Sequence, residues 1–365
     1  MIRKILIGLG ILVGLALSLF ALGVYYFSPD GEKVLDFLKE NPERTAILLV
    51  RNDSVLVKQS VDKVMPLAST VKIILAIAYA EQAASGEIDP EELVSLEELD
   101  QLYVANTDGG AHPAWLESIR ENVQNERIPL REVAKGMIRY SSNANTEWLL
   151  YRLGYDRVNG ILDSLGINQH TEIYPIVSAL FVGKELFPGL AGEELEGKMK
   201  ALSPEEYIQS TLDIHQKLIN DSTYKKDLGD LSLPIQKIWS DRLPSSTVED
   251  YVSVMEKINR RAYFSKATQQ HLHEVLEQSM ENPSNQEKYQ HRGSKGGSTA
   301  FVLTKALYAT DKKGNRTEMA YFLNDLSILE STRLQMSMSE FEQEVLENSS
   351  FRKKIQERIP VREND

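Results

Sequence analysis

The alternation of apolar and polar positions predicts strands near both ends of the chain. The stretches "TAILLV" (residues 45–50) and "SVLVKQ" (residues 54–59) flank a turn-forming Asn-Asp pair and predict a β-hairpin. "STAFVLTKALYAT" (residues 298–310) and "TEMAYFLNDL" (residues 317–326) flank "DKKGN" and predict a second hairpin. Because an isolated hairpin is only marginally stable in water, we expect both in one antiparallel sheet.

Helical periodicity dominates the rest of the chain. A short amphipathic helix is predicted at residues 33–38, a long series of capped helices from Ser69 to about residue 290, and a closing amphipathic helix at residues 337–359. The predicted fold class is therefore α+β: an antiparallel sheet built from both chain ends with flanking helices, plus an all-helical lobe. We interpret residues 29–365 as one domain that carries a helical insertion at about residues 185–244.

The N-terminal segment, residues 1–28, predicts a membrane anchor or a signal segment. Residues 5–27 carry no charge and are long enough for the roughly 20 residues that span a bilayer. Arg3 and Lys4 favour a cytoplasmic N-terminus, so the domain would be extracytoplasmic, at the cell surface or in a periplasm. The alternative is a cleaved signal peptide with a small-residue site at residues 21–23, although the apolar run exceeds the usual ~7–15 residues of a signal core.

Charge and composition exclude several classes of protein. The formal net charge is −12 and the basic residues are scattered, which argues against a nucleic-acid partner. The chain has no cysteine, so thiolate metal sites and cysteine nucleophiles are excluded. His271 and His273 lack metal-ligand spacing with carboxylates. We expect no cofactor and no metal, and the oligomeric state stays open.

Three short motifs carry candidate chemistry. In "PLASTVKIILAIAYAEQ", Ser69 and Lys72 are three residues apart and lie on one helical face, so a lysine whose ammonium is disfavoured by burial could take the serine's proton. By itself, this spacing fits an ordinary lysine that snorkels to solvent. "SSN" (residues 141–143) by itself fits a helix cap, and "KGGS" (residues 295–298) brings glycines that allow close backbone approach.

Taken in this order, the motifs resemble those of the class A β-lactamases and penicillin-binding proteins, the penicillin-recognising serine hydrolases. The resemblance extends over about residues 33–358 and includes the flanking hairpin, helices and turn. It implies that Ser69 is the acylated nucleophile, that Lys72 activates it, and that Ser141 passes a proton to the leaving nitrogen. A small-molecule or peptide substrate is expected.

The same resemblance implies the substrate-binding groups. Asn143 would bind the amide of the substrate, and Lys295 would attract its carboxylate while lowering the pKa of Lys72. Gly297 and Ser298 would line the site, with the backbone N–H groups of Ser69 and Ser298 forming an oxyanion hole.

The sequence departs from the family pattern in the loop that usually supplies the deacylating glutamate. In "QHTEIYPIVSALF" (residues 169–181), alignment on the proline places Tyr174 at that glutamate and Ser178 near its usual asparagine, with Glu172 two residues away. A missing base would slow deacylation by ~10²–10⁴. The expected function is therefore a β-lactamase-like hydrolase; the alternatives are a D,D-peptidase acting on cell-wall peptides and a sensor that is acylated without turnover.

Two further departures concern the substrate. Gly296 and Ser142 stand where the family usually has a hydroxyl residue and an aspartate, and either Ser298 or Thr299 could replace the missing hydroxyl. Residues 91–128 are longer than usual and are expected beside the cleft.

Overall fold

The strands of the protein gather into one main sheet. The computed structural model describes residues 23–221 and 223–361, together with Leu12, Ser18 and Phe20. Its strands are β1 (Thr45–Arg51), β2 (Ser54–Gln59), β3 (Met65–Pro66), β4 (Leu93–Ser95), β5 (Arg127–Pro129), β6 (Ser245–Ser246), β7 (Tyr289–Ser298), β8 (Leu303–Asp311) and β9 (Arg316–Leu323). Within this part of the chain, five strands pair antiparallel in the order β2-β1-β9-β8-β7. Because β1 pairs with β9, the prediction that one sheet joins both ends of the chain is confirmed.

The strand β7 is the longest element that the hydrophobic pattern missed, and the short strands β4, β5 and β6 lie within the stretch that was predicted as helical. The second hairpin was expected to begin at residue 298, but β8 begins at Leu303 and a whole strand precedes it. β7 is rich in glycine and polar residues and shows no apolar alternation. Its glycines are required by packing, since a Cβ on Gly293 would lie only 2.6 Å from the ring of Tyr308.

The helices surround the sheet and form a separate lobe. They are α1 (Gly31–Glu40), α2 (Lys72–Ser85), α3 (Leu96–Gln101), α4 (Ala111–Ile119), α5 (Leu130–Arg139), α6 (Asn143–Leu153), α7 (Tyr155–Ser164), α8 (Val182–Leu186), α9 (Gly192–Ala201), α10 (Pro204–Asn220), α11 (Leu233–Asp241), α12 (Val248–Asn259), α13 (Lys266–Leu276), α14 (Pro283–Lys288), α15 (Ile328–Glu347) and α16 (Ser349–Arg358). The predicted mixed α+β class is confirmed.

Two apolar cores lie on opposite faces of the sheet. Along β8, Ala306 and Tyr308 pack into the core shared with the helical lobe, whereas Leu303 and Leu307 pack against the terminal helices. This alternation follows from the two-residue period of a strand. Helix ends and strand edges can therefore lie close together at the boundary between the lobe and the sheet and form a site there.

Three boundaries differ from the sequence prediction. The first helix, α1, is longer than expected. The closing helix begins at Ile328 instead of residue 337 and is broken at Asn348. That asparagine has extended backbone (φ −107°, ψ 107°), and its side chain caps α16 by accepting from the N–H groups of Ser350 and Phe351. An asparagine cap ends the periodicity that residues 337–359 otherwise share.

The predicted anchor lies mostly outside the described residues. Among those that the structure describes, no helix is long and apolar enough to cross a membrane. Residues 185–244 are helical as expected, with Leu195 and Met199 of α9 buried in the core of the lobe. Their interpretation as an insertion remains a prediction.

Candidate active site

Ser69 lies in a short 3-10 turn that the sheet holds in place. The turn, Ala68–Val71, leads into α2, and Ala68 adopts a left-handed conformation with φ 46°. Thr304 of β8 donates its hydroxyl to the carbonyl of Leu67 at 2.7 Å and pairs with the Thr70 hydroxyl at 2.8 Å. Strained backbone of this kind persists only where its surroundings fix it, and it is concentrated at functional sites.

Lys72 is fully buried and all three of its N–H donors are used. Its Nζ donates to the carbonyl of Ser141 at 2.8 Å, to Ser141 Oγ at 3.2 Å and to Asn143 Oδ1 at 2.9 Å. Among the hydrogen bonds of the described residues, none joins Lys72 Nζ to Ser69 Oγ, so the hydrogen bond that the three-residue spacing allows is not formed. Burial lowers the pKa of Lys72 to about 7, while the charges of Asp108 and Glu147 oppose that shift.

Ser141 links the two lysines. Its Oγ accepts a second hydrogen bond, from Lys295 Nζ at 2.9 Å, and its backbone is left-handed with φ 66°. Burial, then the neighbouring charges of Lys72 and Lys305, hold the pKa of Lys295 well below its usual range. A hydroxyl between two weakly basic amines can pass a proton in either direction.

The predicted residues converge on one cleft. Ser69, Ser141, Lys295, Gly297 and Ser298 line a pocket of about 250 Å³. Lys72 contacts this pocket through its hydrogen bond to Ser141, and Asn143 in turn accepts a hydrogen bond from Lys72. Asn143 also donates Nδ2 to the carbonyl of Thr107 at 3.3 Å, which brings the long segment 91–128 to the site as expected.

Ser142, where the family usually has an aspartate, is held by a histidine. Its hydroxyl lies 2.9 Å from Nδ1 of buried His112 and donates to Asn145 Oδ1 at 2.9 Å. Since the single hydroxyl proton goes to Asn145, His112 must donate from Nδ1. Burial lowers the pKa of His112, which keeps the ring neutral. Two neutral side chains, those of Ser142 and His112, thus take the place of the aspartate that the family usually has.

The loop residue that aligns with the family glutamate, Tyr174, carries no carboxylate. Tyr174, aligned with the family glutamate, is buried and donates its hydroxyl to the carbonyl of Arg242, while Glu172 is exposed. Ser178 donates its hydroxyl at 2.7 Å to Glu147, a buried residue of α6. Glu147 was missed by the sequence analysis, although it follows Asn143 by one helical turn and so shares its face.

Sequence comparison identifies the family of this chain. A sequence model of the beta-lactamase enzyme family matches residues 32–291. The chain belongs to this family. As a beta-lactamase-family protein it is a serine hydrolase that works through an acyl-enzyme, and the resemblance predicted from its motifs is confirmed. A search of curated proteins found no match.

Solved beta-lactamase structures share the fold. A beta-lactamase from Sphaerobacter thermophilus is similar with a TM-score of 0.51 and 16% identity, over 86% of this chain and 96% of the other. A beta-lactamase from Chitinophaga pinensis is similar with a TM-score of 0.51 and 13% identity, over 86% and 98%. At such low identity these similarities establish the beta-lactamase fold alone.

A third lysine, which sequence analysis also missed, enters this beta-lactamase-family cleft. Lys305 lies opposite Gly296 on the neighbouring strand and pairs with buried Glu342 at 3.0 Å. A Cβ on Gly296 would lie 3.3 Å from Lys305 Cδ, so the glycine leaves room for this side chain. Of the two hydroxyls considered as replacements there, that of Thr299 is engaged by Ser240 and by the N–H of Phe301. Ser298 is exposed in the cleft.

The replacement Gly297→Ala should misplace the nucleophile. A Cβ at this position would lie 2.5 Å from both Leu67 O and Ser69 N, so the turn or β7 would have to move. We expect acylation by a fluorescent penicillin to slow by about 10- to 100-fold, since small displacements of reacting groups have effects of that size. Gly296→Ala is the matched control. Its Cβ would lie 3.3 Å from the nearest atoms, so we expect it to slow acylation less than Gly297→Ala does. Equal rates for Gly297→Ala and wild type would contradict the close approach.

Proposed function

We propose that the protein is a serine peptidase that cleaves amide bonds in peptides bearing a carboxylate, and that β-lactams acylate it at Ser69. The observation that supports this most is the position of Ser141 Oγ between the amines of Lys72 and Lys295. Such an arrangement supplies a base, a proton route and a cation beside one nucleophile. The preference for a peptidase over a β-lactamase rests on the loop, where Tyr174 and not a carboxylate occupies the aligned position.

In the proposed reaction, substrate binding prepares the base. A substrate carboxylate beside Lys295 stabilises the charged form of that lysine, and the resulting cation further disfavours a charge on Lys72. Neutral Lys72 then removes the proton of Ser69 once substrate binding has brought Ser69 Oγ within hydrogen-bond distance of Lys72 Nζ, and the Oγ attacks the carbonyl carbon. The backbone N–H groups of Ser69 and Ser298 stabilise the developing oxyanion. Ser141 delivers a proton to the leaving nitrogen, and water later hydrolyses the ester.

We also propose that the domain is tethered to a membrane on the extracytoplasmic side. The uncharged residues 5–27 and the preceding Arg3 and Lys4 support this location. A substrate of the cell-wall type would be found on that side. A protease-accessibility assay on spheroplasts, whose outer barrier is removed and whose cytoplasmic membrane is intact, would test it: digestion of the domain only after lysis of the spheroplasts would contradict the proposal.

Hydrolysis of β-lactams is the second candidate, favoured by the match to the beta-lactamase family. A fluorescent penicillin, a chromogenic cephalosporin and a peptide ending in D-Ala-D-Ala separate the candidates. We expect stable penicillin labelling, slow cephalosporin turnover and measurable peptide cleavage, because no loop base is positioned to speed deacylation of bulky acyl groups. Each signal should be absent from Ser69→Ala.

Other outcomes decide between the alternatives. Rapid cephalosporin turnover that Ser69→Ala loses would make the protein a β-lactamase. Stable labelling with neither cephalosporin nor peptide turnover would make it a sensor. An unlabelled wild-type protein that turns over none of the three compounds would contradict the proposed function altogether.

A further inference from the structure

The helix α15 exposes an apolar strip to solvent. Ile328, Leu329 and Met336 are between 46% and 62% exposed. With the exposed Thr332 they share one side of the helix, because residues three or four apart lie on the same face. The Thr332 hydroxyl donates to the carbonyl of Ile328 at 2.8 Å, so it already has a partner. These four residues are here named the α15 strip.

The clustering of apolar side chains in the α15 strip is not found elsewhere in the domain. Single exposed apolar side chains are ordinary on a protein surface. Within the described residues 29–221 and 223–361, every other helix or strand has at most one exposed large apolar side chain. Several on one helix face therefore indicate a surface that another apolar surface covers.

The N-terminal segment meets the domain beside the α15 strip. Residues 23–27 are helical, and the guanidinium carbon of Arg333 lies 4.8 Å from the centroid of the Tyr26 ring. One turn further along α15, Ser337 Oγ accepts from the N–H of Asp30 at 3.3 Å. At ~1.5 Å per residue, the whole strip lies within about 8 Å of Arg333 along the helix axis.

Lys33 of α1 fixes the end of the N-terminal segment to the domain. Its buried Nζ donates to the carbonyls of Tyr25, Tyr26 and Ser28 at 2.9, 3.0 and 2.6 Å. The last carbonyls of a helix have no partner within the helix, and a lysine satisfies them. Because α1 packs against α15, the segment is held in one position relative to the strip, and its exposed Val24 and Tyr25 add to the apolar surface.

The other side of the α15 strip borders the catalytic cleft. Gln335, Met338 and Ser339 of α15 line the pocket that contains Ser69. Because each residue of an α-helix is turned by ~100° from the one before it, the strip lies between this side and the side that carries Arg333. A flat surface that contacts the strip would therefore pass close to both the N-terminal segment and the cleft.

The rest of α15 limits the extent of such a contact. The exposed positions that follow the strip are Glu340, Gln343 and Glu347. Removing carboxylates from water is costly, so an apolar contact would end near Met336. The N-terminal end of α15 would then enter the covering surface more deeply than its C-terminal end.

We propose that the α15 strip, together with Val24 and Tyr25, rests in the interface of a lipid bilayer and so holds the catalytic cleft at the membrane surface. The inference rests on the proposed membrane tether, because residues 5–27 would bring the bilayer to this side of the domain. Amide substrates that are themselves held at the membrane would then reach Ser69 more readily than substrates free in solution.

Single cysteines measure this contact directly, since the chain contains none of its own. Leu329→Cys and Met336→Cys are each labelled with a nitrobenzoxadiazole fluorophore in the full-length protein, which is reconstituted into phosphatidylcholine vesicles. Lipids that carry a spin label near the headgroup quench a fluorophore in the interface. We expect both positions to lose at least about half of their fluorescence, because the apolar face of an interfacial helix is buried ~5–10 Å in the headgroup region.

Leu93 of β4 provides the matched control. It is 53% exposed, and its neighbour Val94 packs into the core of the helical lobe. Leu93→Cys should lose less than about a tenth of its fluorescence, since a fluorophore in water is out of reach of the headgroup region. Equal quenching at Leu93→Cys and at the α15 strip would overturn the inference.

Acidic substitutions test whether the apolar character of the strip maintains the contact. Ile328→Glu and Leu329→Glu are combined in the Met336→Cys protein. Carboxylates in the first turn stabilise a helix, so α15 should still form. Quenching at Met336→Cys should fall about fivefold or more, because charged groups stay in water. Labelling of Ser69 by a soluble fluorescent penicillin should not change, which shows that the domain is folded.

The remaining outcomes separate this inference from the tether. Vesicle-bound protein in which neither Leu329→Cys nor Met336→Cys is quenched would overturn the membrane-contacting strip and leave the tether and the proposed reaction intact. Full quenching that the acidic variant retains would also overturn it. Failure of the tether would instead be seen as full-length protein that stays in the aqueous fraction when the vesicles are sedimented, and the inference would fail with it.

Discussion

Lys72→Met should lower the rate of acylation of Ser69 by about 10²–10⁴-fold, the usual contribution of a general base. Methionine has nearly the length of lysine and is apolar, so it suits a fully buried position, although it leaves the acceptors on Ser141 and Asn143 without their donor. Acylation is measured as the rate of fluorescent penicillin labelling, and folding as the thermal unfolding midpoint. Lys33→Met controls for the loss of a buried lysine elsewhere and should label normally. Labelling of Lys72→Met at the wild-type rate would refute the role of Lys72 as the base.

The pH dependence of acylation gives an independent measure of the same group. Because burial lowers the pKa of Lys72 to about 7 and the base must be neutral, the wild-type rate should rise with pH through about 7 and then level off. Lys72→Met should lose this rise. Asp108→Asn should move its midpoint to lower pH, since the charge of Asp108 raises the pKa of Lys72. A shift to higher pH would contradict this electrostatic assignment.

Short motifs predicted much of the site because each combines local geometry with chemistry. A single turn fixes Ser69 relative to Lys72, and another fixes Ser141 relative to Asn143. The spacing within each pair is therefore set by local backbone geometry and can be read from the sequence. The hairpin strands were predicted because aliphatic and β-branched residues flank a turn-forming sequence in each hairpin. Motif order then indicated the resemblance to the class A β-lactamases and penicillin-binding proteins.

Features that depend on contacts between distant segments could not be predicted in the same way. β7 is stabilised by pairing with β8 and by the close approach of Gly297 to Ser69, neither of which produces an apolar pattern. Lys305 lies opposite Gly296 only through strand register. Aligning the loop on its proline placed Tyr174 at the site, whereas burial against Arg242 and the core decides where that ring lies.

The clearest such feature is Glu147, whose buried carboxylate joins three segments. Its Oε1 accepts from the N–H of Val177 at 3.0 Å, and its Oε2 accepts from the N–H of Ser178 at 3.3 Å and from the Ser178 hydroxyl at 2.7 Å. His215 of α10 places Nδ1 at 3.2 Å from the same Oε2. The loop of residues 169–181 is thus held to the helix of Asn143 by a carboxylate on that helix.

Glu147→Ala should therefore lower the free energy of unfolding by about 3–5 kcal/mol, because it leaves two backbone N–H groups and the buried Ser178 without their acceptor. Denaturant unfolding measures the loss. The exposed Glu98 of α3, which accepts from Trp148 Nε1 at 3.2 Å, is the matched control, and Glu98→Ala should change the free energy of unfolding by less than about 1 kcal/mol.

If Glu147→Ala proved too unstable to purify, Glu147→Gln would still test the charge. The pH midpoint of acylation should fall below the wild-type value, since the charge of Glu147 raises the pKa of Lys72. An unchanged unfolding free energy in Glu147→Ala would mean that the loop is held by its apolar contacts and not by this carboxylate.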